Sequence, residues 1–239
     1  MANLNVIPLD WDSDFFGIRC GKIIADADSD FTQFDRFCKE YDFISIQNIG
    51  NDIKVNKEIA KFTNAYLVDI NVQFEKTVSG DKRKVENNLY KVVGSKEIDE
   101  SVMTQMIVDE SDFEFSKFVC DEEMKERKGY LVYREWIKNS RKEDNRYFEI
   151  FSHDNKIGAY VLFNMLNGEG TVEIVKVNRE NQGKHIATQM INNIESFLYE
   201  NGIQKIKVGT QFNNIPAMNL YHFLGFKETS RTSIFHLWK

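Results

Sequence analysis

Cysteine and histidine are too scarce and too badly spaced in this chain for a structural metal site. Cys20, Cys38 and Cys120 are odd in number and fit neither a metal-ligand spacing nor a disulfide framework. His153, His185, His222 and His236 fall at intervals that suit no zinc site, so no metal is expected. No apolar run approaches membrane-spanning length, and the opening MANLNVIPLD lacks the apolar core of a signal peptide. Positive charge is not in excess. The formal net charge of -6 argues against sequence-independent binding to nucleic acid. Internal repeats and low-complexity tracts are absent as well. On these exclusions a reduced, cytoplasmic protein is expected, with no membrane and no nucleic acid as partner. What is present is ordinary for a globular chain: 239 residues, 42% hydrophobic and 28% charged, room for one large domain or two small ones.

Along the first 76 residues, strands and helices alternate. Residues 16–25 (FGIRCGKIIA) read as a strand. Residues 31–41 carry Phe31, Phe34, Phe37, Cys38 and Tyr41 at helical spacing. FISIQ (43–47) is a second strand, NDIKVNKEIAKF a weaker helix, and YLVDINVQFEK a half-buried strand alternating Val68, Ile70, Val72 and Phe74. The polar run TVSGDKRK (77–84) marks a boundary. Beyond it come a strand at 88–93, helical regions near 97–108 and 127–140, and two strands joined at Asp154-Asn155, a hairpin signal. NGEG (167–170) turns into a further strand. A long helix follows, with Ile186, Ala187, Met190, Ile191, Ile194, Phe197 and Leu198 on one face and Gly202 as its stop. A strand, a short helix ended by Gly225, and two strands, FKETS and SIFHLWK, complete the chain.

The stretch VEIVKVNRENQGKHIATQMINNIESFLYENG (172–202) carries the first chemical signal: a strand feeds a helix through Gly183-Lys184-His185. Free N–H groups at such a helix start suit an anion such as a pyrophosphate. The two common nucleotide loops are excluded. A Walker loop needs a glycine where Asn178 stands and a hydroxyl where His185 stands. A dinucleotide fingerprint needs glycines at His185 and Thr188. On spacing alone, a simple tight turn at Gly183 is the better explanation of the motif.

The order of elements, together with Gln182-Gly183-Lys184-His185-Ile186-Ala187 and NIPAMNLYHFLGF (214–226), resembles the GNAT superfamily of acyl-CoA-dependent N-acetyltransferases. Its pyrophosphate loop reads Gln/Arg-x-x-Gly-x-Gly/Ala, and its later segment reads Asn-x-x-Ala-x-x-Leu-Tyr-x-x-x-Gly-Phe. His185 departs from the family, which usually has glycine there; its Cβ is expected to crowd the phosphate but leaves the backbone N–H groups in place, so binding is expected to be retained though weakened. WDSDFFG (11–17), VGTQFNNIPAMNLY and HLWK further resemble TDP-fucosamine acetyltransferase and related sugar N-acetyltransferases. The resemblance implies an α/β (α+β) GNAT acyltransferase fold, with a mixed central sheet flanked by helices and a smaller N-terminal α/β half. The division expected is 1–80 as a truncated acyltransferase-like domain and 81–239 as the catalytic domain.

It also implies acetyl-CoA as cosubstrate, held by Gln182, Gly183, Lys184, His185, Ile186 and Ala187, by the strand positions Val175, Lys176 and Val177, and by Asn214 and Tyr221. Tyr221 is the implied general acid, protonating the leaving thiolate; as a plain core aromatic it would only pack with Ala217 and Leu224. Asn214, two residues before Pro216, is also a good helix cap. Glu173, expected on one strand face with Val175 and Val177, is the candidate base, since a carboxylate among apolar neighbours accepts a proton more readily; a surface glutamate at the strand's start explains it equally well. Asp12 and Asp14, beside Trp11, Phe15 and Phe16, are its rivals. Arg134, Lys138 and Arg141 form a helical stripe that reads first as a solvated face and second as counter-charge for an acceptor's diphosphate. The favoured acceptor is a nucleotide-linked amino-deoxy sugar. A protein N-terminus, a lysine or a small amine, or a non-catalytic acyl-CoA sensor, are the alternatives. A homodimer is compatible with this architecture.

Overall fold

Residues 2–4, 6–32, 34–80, 88–106 and 112–239 are described by the computed structural model. Two short strands, β1 (Ala2–Asn3) and β2 (Ile7–Pro8), lead into helix α1 (Asp10–Phe16). The strand expected over 16–25 therefore begins only at Cys20, and Phe16 is the last residue of α1. Asp10 and Asp12 place negative charge in its first turn, and Gly17 closes it in a left-handed conformation (φ 67°), both helix-end signals that outweigh the local apolar pattern. Then come β3 (Cys20–Ala25), β4 (Ser29–Asp30), α2 (Phe34–Cys38), β5 (Phe43–Ile49), α3 (Ile53–Phe62) and β6 (Tyr66–Thr77). Helix α2 is shorter than the 31–41 expected. Asp52 caps α3, its carboxylate accepting from the amides of Lys54 and Val55. The expected boundary run continues past residue 80 into residues outside those described.

The second part contains β7 (Tyr90–Gly94), α4 (Glu100–Gln105), α5 (Lys117–Cys120), α6 (Glu122–Glu126) and α7 (Leu131–Asn139). The end of the helical region expected at 97–108 lies outside the described residues, and α5 and α6 were not anticipated. A hairpin of β8 (Arg146–His153) and β9 (Lys156–Leu166) turns at Asp154 and Asn155, both left-handed (φ 51° and 61°), as the paired turn requires. After β10 (Glu169–Val177) come α8 (Ile186–Glu200), β11 (Lys205–Gln211), α9 (Ile215–Phe223) and β12 (Lys227–Trp238). Where two final strands were expected there is one, kinked by an irregularity between Glu228 and Ser230. The polar residues between the two apolar runs form a bulge and not a turn.

A ten-stranded mixed sheet runs β2-β3-β5-β12-β6-β11-β10-β9-β8-β7. Only β3–β5 and β10–β11 pair in parallel within it. The fold class is thus the α/β arrangement expected. The two ends of the chain are interleaved: β6 lies between β11 and β12, and β12 lies between β5 and β6. A cut at residue 80 divides the chain but not the sheet. The interleaving is tied down by Lys76 of β6, which pairs at 2.6 Å with the buried Glu195 of α8. Helix α8 buries Ile186, Met190, Ile191, Ile194 and Leu198 against one sheet face. At about 1.5–3 kcal/mol for each fully buried aliphatic side chain, this face fixes the helix firmly. On the opposite face, α4 and α7 contribute Met103, Tyr133 and Ile137 to a second core.

Candidate active site

Strand β10 pairs with β11 only from Glu169 to Val172, opposite Lys205 to Val208. Beyond that point β10 keeps its partner β9, while β11 pairs on with β6. The two strands part, and a cleft of about 550 Å³ opens between them. Val175 and Val177 offer a strand edge to it, Gln182, Gly183, His185, Ile186 and Ala187 close one part, and Asn214 and Tyr221 line the α9 side. Two predicted residues are elsewhere. Lys184 is exposed and does not line the cleft. Lys176 alternates to the other side of β10, lines a neighbouring cavity of about 650 Å³, and pairs with Asp112.

The loop that leads into α8 is built from local conformation. Gln182 Nε2 donates to the carbonyl of Val177 (3.1 Å), which holds the loop against the end of β10. Gly183 is left-handed (φ 72°), and no atom lies within 4 Å of where its Cβ would stand. The helix begins at Ile186, three residues later than expected, because His185 is also left-handed (φ 58°) and stands as the N-cap without a side-chain capping bond. A glycine suits this position for a conformational reason in addition to the crowding expected from the sequence. The first N–H groups of α8 have no intrahelical acceptor and face the cleft end of the loop.

Asn214 caps α9, its Oδ1 accepting from the amide of Ala217 at 3.2 Å. That leaves its side-chain nitrogen for other use. Tyr221 is 3% exposed, with ring neighbours Phe74 at 5.5 Å and Phe226 at 5.8 Å. Among the described residues no hydrogen bond to its hydroxyl is recorded. Burial pushes the phenol well above its usual pKa, so it stays protonated across the neutral range.

Glu173 departs from expectation. A bulge between Val172 and Ile174 shifts the strand's alternation, so Val172 and Val175 pack toward α8 while Ile174 joins the α7 core. Glu173 accordingly does not share a face with Val175 and Val177. Its neighbours are polar: Trp136 Nε1 donates to Oε2 (2.9 Å), and Arg146 Nε (3.1 Å) and Asn164 Nδ2 (2.5 Å) donate to Oε1. The apolar surroundings that made it a candidate base are absent. Its rival Asp12, raised by burial, does not line the cleft, nor does Asp14.

Two sequence features meet outside the cleft. Trp11 and Phe15, stacked at 5.1 Å, share a shallow cavity of about 580 Å³ with Asp14, Arg134 and Lys138. It lies on the side of α7 away from Tyr133. Lys138 pairs with Glu135, and Arg141 is drawn off to Glu100. The sequence reading missed Tyr133 and Phe113, which stack at 4.1 Å and line the cleft. Tyr133 donates to Ser116 Oγ (2.8 Å), and burial pushes its phenol up to about 12. Helical spacing with Ile137 on the apolar side of α7 was the signal that would have found Tyr133. Among the described residues no group of three or more His, Cys, Asp or Glu side chains is placed to hold a metal ion. No described helix is long and apolar enough to cross a membrane.

Residues 105–226 match the family model for GNAT acetyltransferases. The chain is similar to the spore coat polysaccharide biosynthesis protein SpsD of Bacillus subtilis (strain 168), with 21% identity over 53% of this chain and 44% of that protein. It is 29% identical to the streptothricin acetyltransferase of Escherichia coli over 35% of this chain and 48% of that one. The chain thus spans under half the length of either relative. In fold it is similar to a tandem GNAT protein from the clavulanic acid biosynthesis pathway, with a TM-score of 0.53 and 16% identity, over 84% of this chain and 65% of that one. With the family match covering the loop, Tyr221 and the splayed strands together, the chain belongs to the GNAT family of acetyltransferases.

Proposed function

We propose that this chain transfers the acetyl group of acetyl-CoA to the amine of a nucleotide-linked amino-deoxy sugar. The observation that carries the reading is the cleft between β10 and β11, which has the left-handed Gly183 loop at one part and the largely buried Tyr221 in its wall. The residues fit acetyl-CoA. Open space in front of Gly183 leaves the N–H groups of Gly183 to Ala187 free for a pyrophosphate. The edge of β10 from Glu173 to Val177, unpaired on the β11 side, offers main-chain groups to the pantetheine as a neighbouring strand would. Lys184, exposed beside the loop, adds positive charge there.

When bound, acetyl-CoA supplies the activated thioester. An N–H of the free β10 edge would polarise the thioester carbonyl. As the acceptor nitrogen bonds the acetyl carbon and the C–S bond breaks, Tyr221 would protonate the departing sulfur, and the proton the nitrogen loses would pass to solvent, from which the phenol is restored. Asn214 contributes its free side-chain nitrogen to the pantetheine arm. The acceptor class is supported by similarity to SpsD, whose name places it in polysaccharide synthesis. The first 80 residues are read as a truncated acyltransferase-like half, an assignment supported by the parallel β3–β5 pair that β12 extends.

The test is thiol release from acetyl-CoA with a nucleotide-linked amino sugar, the same sugar without its nucleotide, a lysine peptide, a free α-amino peptide and a small diamine. The nucleotide sugar is expected to give the highest kcat/KM. A higher value with a peptide or the diamine moves the acceptor class. CoA binding by calorimetry with no thiol released by any amine makes the chain a sensor.

A further inference from the structure

Glu173 occupies the vertex of the cleft. It is the first residue past Val172–Val208, the last pair joining β10 to β11, and it is the bulged residue on the β9 side. Its side chain is 4% exposed, and its carboxylate collects donors from three other elements: Trp136 on α7, Arg146 on β8 and Asn164 on β9. Such a carboxylate is ill placed to act as a base. Both of its oxygens are already engaged, Oε2 by Trp136 Nε1 and Oε1 by Arg146 Nε and Asn164 Nδ2. The same bonds suit a mechanical task. One turn of α7 carries both Trp136, the donor, and Tyr133, a wall of the cleft.

We propose that Glu173 is a positioning residue: it ties the bulge of β10 to α7, β8 and β9, fixing where β10 leaves β11 and where Tyr133 stands, and it does not take the proton of the acceptor amine. The proposal rests on the acetyl-transfer reading for its kinetic test only.

The experiment compares Glu173→Gln, Glu173→Ala and Trp136→Phe in the full chain, by kcat and KM for each substrate, the pH profile of kcat/KM, and the melting temperature. A glutamine keeps an acceptor oxygen for Arg146 and Asn164 but loses the bond to Trp136, because its Nε2 is itself a donor. Glu173→Gln is expected within about five-fold of the parent with an unmoved pH profile, whereas Glu173→Ala loses about 10²-fold, the cost of about 1 Å of misplacement. Trp136→Phe should show part of the alanine loss, again with the pH profile unmoved. If Glu173→Gln loses as much as alanine and the acidic limb of the profile disappears, Glu173 is the base and the proposal falls. If the parent chain acetylates no amine at all, the acetyl-transfer reading fails separately. The strut is then judged by melting: a drop for alanine clearly larger than for glutamine sustains it, and equal, negligible drops overturn it.

Discussion

Asp121 and Tyr221 are both buried polar side chains that lean on β6, and their surroundings treat them in opposite ways. Asp121 joins α5 to α6 and sits in the seam between the two parts of the chain. Its Oδ2 accepts from His236 Nδ1 (2.5 Å), Tyr66 (2.8 Å) and Trp238 Nε1 (3.0 Å), and its Oδ1 from the amide of Met124 (3.0 Å). Burial alone would raise it, but these bonds outweigh that and hold it well below the usual carboxylate range. Tyr221 packs against Phe74 of the same strand, yet its hydroxyl has no recorded partner among the described residues and lines the cleft. A buried polar group with all its bonds made holds elements together, and one left unbonded beside a cavity is free to meet a substrate. The seam has exceptions of its own: His236 Nε2 and Ser45 Oγ, cross-strand neighbours, are buried and unbonded.

The sharpest way to break the comparison is Tyr221→Phe. If the hydroxyl works on the departing sulfur, kcat and kcat/KM fall together by roughly 10²–10⁴. Acetyl-CoA affinity and melting temperature hardly move, because the lost bond forms only as the thioester breaks. Steady-state rates and a melting curve decide it. Preserved turnover with lower stability makes Tyr221 a core residue like any other.

Asp121→Ala should give the reverse pattern. Removing the carboxylate takes the acceptor from four donors, of which the half-exposed Tyr66 can turn to water, and is expected to cost about 3–5 kcal/mol in unsatisfied polar groups. The melting temperature should drop on the order of 10 °C, with kcat retained at temperatures where the variant is folded. A kcat loss without destabilisation would place Asp121 in the chemistry and dissolve the contrast.

How legible each site was follows from the kind of pattern that builds it. The Gly183 loop and α9 are short, contiguous segments whose spacing survives in the sequence, and the cleft between them follows from the order of elements. The Asp121 seam is assembled from residues 66, 121, 236 and 238. No local periodicity joins them, and the interleaving of β6 with β12 that brings them together is a long-range pairing. The strand face of Glu173 differs from expectation for a third reason. A strand's faces are counted by twos, and one bulged residue reverses every later assignment relative to the earlier ones. Likewise α1 was hidden because its evidence lies at its ends, in Asp10, Asp12 and Gly17, and not in its apolar residues.

Asp69, on β6 between the two sites, sharpens the comparison through pH. Desolvation raises it to about 6, with Lys117 pulling the other way. A raised folded-state value means that its contribution is favourable at low pH and lost as pH rises from the unfolded value near 3.9 through about 6. Asp121, held low, has the opposite sign, and its contribution is lost as pH falls. Asp69→Asn should therefore stabilise the chain at pH 7 by on the order of 2 kcal/mol, Lys117 keeping Asp12 as a counter-charge, and the gain should vanish toward pH 4. Denaturant melts at the two pH values measure this; a gain equal at both would mean packing, not ionisation, is responsible.

The smallest effects test the loop. At Gly183 there is room for a side chain but not the conformation, since φ is 72° with nothing within 4 Å of the built Cβ. Gly183→Val imposes strain of about 1–3 kcal/mol on an exposed loop, so CoA affinity in calorimetry should fall about ten-fold while the melting temperature drops by only a few degrees. Unchanged affinity would remove the pyrophosphate from this loop. His185→Gly runs the other way. It relieves a left-handed residue worth about 1–2 kcal/mol, but gives back part of that through the greater freedom of an unfolded glycine. Stability should shift by less than about 1 kcal/mol, and CoA should bind at least as tightly as to the parent. Looser binding by this variant would show that the imbalance at position 185 is not a tolerated defect: the imidazole would then be making a contact with the ligand that compensates for the strain it imposes.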